Sequence, residues 1–195
     1  MRSVCILLGF LWLILPMTGV STPTAAGSPD ALASMQHKLQ LIASNRKLRH
    51  PDPTRTSCTE QEINAYLSSG AMKLPSGLRS VNLQEQPGIA IADTLVDFEQ
   101  LKAGINSSNP LLRVFSGIHD VIVNADAHGS GGEGFVHVNS VLLDGVQVPK
   151  FVLQLFIEKY LHPKYPQVGL DSEFNLPARI DTAVIGSHTL TITQK

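Results

Sequence analysis

The chain has 195 residues and a formal net charge of −1; 43% of the residues are hydrophobic and 16% charged. That length suits one domain with a real core, and the charged fraction lies below the usual quarter. No basic stripe and no aromatic set on a basic face is present, so a nucleic-acid surface is excluded.

Residues 1–26 read as a secretory leader. Arg2 supplies the positive start, residues 4–20 the apolar run, and Thr24, Ala25 and Ala26 a small-residue cleavage end. The other reading is an uncleaved anchor; that run is at the lower limit for spanning a bilayer, and Pro16 interrupts it. The apolar run follows Cys5, which is not how a lipoprotein cysteine is placed. The expected product is a periplasmic or secreted protein, one domain over residues 27–195. Cys58 is then its single cysteine and no internal disulfide forms.

Pro29 and Asp30 suit a helix start, and Leu32, Met35, Leu39 and Ile42 recur at three- and four-residue steps, predicting an amphipathic helix to about Asn45. Residues 50–57 hold two prolines and read as a linker. Thr59 and Glu62 form a capping box for a short helix carrying Ile63, Tyr66 and Leu67, with Gly70 placed to end it. Leu78, Val81 and Leu83 belong to one strand. After a turn at Gln86, Pro87 and Gly88, residues 89–98 form the next, with Ala90, Ala92, Thr94, Val96 and Phe98 as the inward parity. Residues 111–127 read as one long strand bent at Ser116 and Gly117. Residues 129–134 then read as a flexible glycine loop, and residues 135–143 return antiparallel.

Pro149 opens a helix with three apolar lines: Phe151, Leu155 and Lys159; Val152, Phe156 and Tyr160; Leu153, Ile157 and Leu161. Such a helix is either fully buried or half turned to an apolar cavity. Leu176 and Pro177 then lead into a final hairpin turning at Gly186 and Ser187. A faint echo links the two halves, each with a helix feeding a Leu-Pro entry into strands.

Sites for chemistry are thin. Asp126, His128, Glu133 and His137 surround the glycine loop and are metal-type ligands, but a long loop holds ligands poorly. Asp93 and Asp97 are too far apart along a strand to act as a pair on one bond. Ser116 and His119 are close in sequence without a fixed acid, and no nucleophile elbow or phosphate cradle is present. No catalytic residue, metal or cofactor is assigned, and the chain reads as a non-enzyme.

The run from Gly134 through Val148 and Pro149, the apolar helix, then Phe174, Asn175, Leu176 and Pro177, then Ile180 and a closing hairpin, resembles the second half of the bacterial LmeA-type envelope proteins, which look related to the tubular lipid-binding (BPI-like) proteins. The resemblance covers about the last 60 residues. It implies export, a long helix held in a curved sheet, and binding of a phospholipid or similar amphiphile, with peripheral membrane contact. The expected fold is therefore α+β: a strongly curved antiparallel sheet wrapped around a long apolar C-terminal helix, with one or two amphipathic N-terminal helices. Phe151, Val152, Leu155, Phe156, Tyr160 and Phe98 are the candidate ligand-binding residues. A structural or adaptor protein of the envelope, with a solid core and an unidentified protein partner, is the alternative.

Overall fold

A computed structural model describes residues 28–105 and 107–195; the leader read over residues 1–26 lies outside them. α1 (Pro29–Asn45) buries Met35, Leu39 and Ile42, the stripe its spacing predicts. Its polar side reaches α2 (Glu60–Ser68), where Ser34 and Lys38 both donate to the Glu62 carboxylate, at 2.5 and 2.6 Å. Glu62 also closes the capping box: Thr59 N–H donates to it, and its own N–H donates to Thr59 Oγ1.

Nine antiparallel strands follow among the described residues. They are β1 (Thr56–Thr59), β2 (Leu78–Gln86), β3 (Ile89–Asp97), β4 (Ile118–Ser130), β5 (Glu133–Leu143), β6 (Val146–Gln147), β7 (Asp171–Asn175), β8 (Ile180–Ile185) and β9 (Thr189–Gln194). β4 is the hub. One of its edges pairs with β3 and then, beyond Asp126, with β8 at His128 and Gly129; the other pairs with β5. β2 continues from β3, β7 and β6 from β5, and β9 and β1 from β8. β3 keeps the predicted parity, with Ala90, Ala92, Thr94 and Val96 buried.

The free edge of β2 is covered by a side chain. The amide of Asn64 on α2 donates to Leu83 O and accepts from Leu83 N–H, both at 2.7 Å, as a neighbouring strand would.

Several expectations are corrected. The sheet is not strongly curled and wraps no long C-terminal helix. α4 is a short α-helix, Lys150–Phe156, ending in one wider π-type turn, Ile157–Leu161, where His162 N–H donates to Ile157 O. Periodicity identified the helix, but it reports a helix's faces and not what covers them.

Residues 111–117 are not strand. Pro110–Leu112 is a 3-10 turn capped by Asn109, and the strand begins only after Gly117, whose φ is 84°. The glycine segment is no floppy loop either: β4 and β5 pair to Ser130 and Glu133, leaving a two-residue reversal at Gly131 and Gly132 with φ of 65° and 88°. Gly134 is needed for close packing, because a Cβ there would sit 2.5 Å from the Phe174 ring. β1 begins in the stretch read as linker, and β7 lies where no strand was expected.

Candidate functional site

Two of the three apolar lines of α4 are buried. Leu153, Ile157 and Leu161 face the sheet, and Val152, Phe156 and Tyr160 are also enclosed, whereas Phe151 points outward and is 60% exposed. The helix is thus neither fully buried nor free. The short helix α3 (Phe98–Leu101) and the 110–115 turn bring Phe98 and Phe115 onto it. Phe115 lies tilted against Phe156 with ring centroids 4.2 Å apart, Phe98 meets Phe156 edge-on at 5.6 Å, and Tyr160 follows at 5.3 Å. The edge-to-face arrangement of Phe98 on Phe156 is a favoured aromatic geometry.

Beside this cluster, between α4 and the inner faces of β4 and β5, lies an apolar cavity of about 90 Å³. Val121 and Val123 of β4 and Val136, Val138 and Val141 of β5 form one wall; Leu153, Phe156, Ile157 and Leu161 form the other. A bulge between Asn124 and Ala125, opposite Asn139, resets the parity of β5, so that Val138 and Val141, three apart, both face inward. The cavity approaches the surface near Leu170, Ser172 and Phe174, which are half-buried. Ser172 is its one polar lining side chain, and its hydroxyl is engaged with Gly169. An engineered apolar cavity of about 150 Å³ takes a benzene or xenon. This one is therefore sized for a short apolar group or the end of a chain, not for a whole phospholipid.

Of the six residues chosen from sequence, Phe98 and Phe156 line the cavity. Val152 and Tyr160 are buried without lining it, Leu155 is half-buried, and Phe151 faces out. The valines of β4 and β5 were missed. The alternation of Val121 and Val123 and of Val136 and Val138 was visible, but the inward place of Val141 depends on the β5 bulge.

Polar groups near the cavity act as ties. His119 Nδ1 lies 2.5 Å from Asp144 and its Nε2 2.6 Å from the Ser116 carbonyl, and its ring packs on Phe98 at 6.0 Å. With both ring nitrogens facing acceptors, the imidazolium is favoured. The Asp144 bond, and then the Ser116 bond, raise the His119 pKa. A histidine so held is a clasp between the 116–120 segment and the β5–β6 turn, and not a free base for the Ser116 hydroxyl.

Asp97, one of the aspartates on β3, accepts from Arg79 at 2.6 Å and caps α3; the Arg79 bond is the main cause of its lowered pKa. At the hairpin, Asp126 and His137 face one another across the β4–β5 pair. His137 Nδ1 is 2.5 Å from Asp171, His128 stacks on Phe135, and Glu133 pairs with Ser130 at the tip. Among the described residues no three His, Cys, Asp or Glu side chains are grouped as metal ligands.

Among the described residues, the one buried orphan lies elsewhere, where α2 meets the β2–β3 and β8–β9 turns. Glu85 is only 4% exposed, and its Oε2 has no hydrogen-bond partner among the described residues. Burial first, and then the Glu60 carboxylate, push its pKa up to about 7, against a smaller opposing pull from His188.

No family model, no curated protein and no solved structure matches this chain.

Proposed function

We propose that this chain is a non-enzymatic binding protein of the cell envelope that holds the end of one acyl chain, from a phospholipid or another apolar molecule of similar girth. The observation that carries the reading is the cavity beside α4, walled by Val, Leu, Ile and Phe with a single engaged hydroxyl. Concave apolar sites take apolar ligands, and a lining without titratable groups offers no acid, base or nucleophile. The likeness of residues 134–194 to the LmeA-type envelope proteins and the leader-like residues 1–26 support an exported location.

The small volume favours a second reading, a structural or adaptor protein of the envelope whose core closes without a ligand. Mass spectrometry of organic extracts separates the two. Protein purified from envelopes of the producing cell carries a stoichiometric apolar species under the first reading. Under the second, the extract is empty and the protein takes up no added fatty acid.

A further inference from the structure

Five of the eight large hydrophobic side chains that stand exposed among the described residues belong to two short stretches of chain: Leu111, Val114 and Ile118 on one, Val146 and Phe151 on the other. The fold joins these stretches at one end of the sheet. His119 clasps Asp144, Asp144 N–H donates to Asp120 O, and the 110–112 turn lies on α4, where Phe115 meets Phe156. On the first stretch Leu112 and Phe115 point into the core, which leaves Leu111 and Val114, likewise three apart, directed outward. A surface rarely gathers its exposed large hydrophobics in this way without a partner.

We infer that this end of the molecule is a peripheral docking surface for an anionic lipid bilayer. Two observations favour a bilayer. The apolar side chains sit on chain reversals and at a helix start, where they protrude, rather than lining a groove fitted to a peptide. Arg113 lies between Leu111 and Val114 and Lys150 directly precedes Phe151; both are exposed and neither is in an ion pair among the described residues. Cations interleaved with protruding aliphatic and aromatic side chains match the headgroup layer of an anionic membrane, with the stems lying along the apolar surface and the charges in the headgroups.

Of the nearby carboxylates, Asp144 is paired with His119, whereas Asp120 and Glu158, which accepts only from the neutral Gln154 amide, keep their charges beside the exposed Lys159. Among the described residues no helix is long and apolar enough to cross a membrane, so contact through this end is peripheral. The surface adjoins the aromatic cluster beside the cavity, so the inference extends the lipid reading, although it rests on different residues.

The test is amide hydrogen exchange on the full chain with vesicles of phosphatidylcholine and phosphatidylglycerol in equal parts. Exchange slows at residues 110–118 and 144–151 and stays unchanged in α1 and α2. Unchanged exchange in both stretches, or equal slowing on pure phosphatidylcholine, overturns the inference. The combined variant Leu111→Ser, Val146→Ser and Phe151→Ser lowers vesicle partitioning by at least about tenfold. Val184→Ser, an exposed apolar residue on β8, leaves partitioning as it was. Equal partitioning of the combined variant and the wild type also overturns it. Organic extracts of the combined variant keep the species found in the wild type, so failure of the docking surface and failure of the cavity reading are told apart.

Discussion

At the α1–α2 end, Glu62 accepts from Ser34, Lys38 and the Thr59 N–H, Asn64 clamps both backbone groups of Leu83, and Gln194 donates to Ile42 O and Ala178 O. At the α4 end, Phe98, Phe115, Phe156 and Tyr160 lie ring against ring, and the side chains under β5 stop short of filling the space. Directional bonds fix one end, and non-directional apolar contact holds the other. Hydrogen-bonded polar groups demand one geometry, whereas an apolar wall accepts any apolar filler. The second end is therefore where a ligand can enter at little cost to the fold.

The largest expected effect is at the apolar end. Phe156→Ala removes the ring that three aromatic neighbours share and opens the existing cavity further, costing roughly 4 kcal/mol in chemical denaturation. A loss under about 1 kcal/mol would mean the cluster is loosely packed and the contrast drawn too sharply.

Next comes Glu85, the exception at the polar end. Its folded pKa of about 7 lies above the ordinary 4.5 of a glutamate, so the folded chain holds this proton more tightly than the unfolded one. Its contribution to stability is complete below about pH 4.5 and is lost as pH rises through 7. Above that the deprotonated group is a cost of about 3 kcal/mol. Glu85→Gln should therefore raise stability at pH 8 and change little at pH 4, measured as unfolding free energy against pH. Equal effects at the two values contradict the assignment.

Glu62 has the opposite sign. Burial alone would raise its carboxyl, but the Lys38, Ser34 and Thr59 bonds outweigh burial and hold it down at about 2. Its stabilisation is present above pH 4.5 and lost as pH falls toward 2. Glu62→Ala should cost about 2 kcal/mol at neutral pH and progressively less in acid.

The smallest effect is the most telling. Val141→Phe grows into the cavity and should change stability by less than about 1 kcal/mol, whereas Ala92→Leu, at a fully enclosed position on β3, should cost about 1–3 kcal/mol.

What could be read from the sequence follows the same division. The α1 stripe, the Thr59 and Glu62 capping box and the inward parity of β3 are local signals, and each stands in the structure. β1 and β7 were not legible. β1 follows Pro51 and Pro53 and is a strand through its pairing with β9, and β7 is polar apart from Phe174 and is held by β5. The apolar run over residues 111–115 has the composition of a strand, yet its outcome was decided by capping at Asn109 and by the two faces of a turn. For α4 the apolarity was plain, but the number of covered faces depended on how far the sheet curls, which no local pattern carries. Of the cavity wall, the inward place of Val141 was hidden behind one bulge.

The account rests on apolar space beside α4 that accepts an apolar chain end. Methyl NMR during titration with decanoic acid reads both ends of the molecule at once. The account predicts saturable shifts at the methyls of Val138, Leu153 and Ile157, with those of Ile63 and Leu190 unmoved. Shifts absent at the cavity, or equal at both ends, would contradict it.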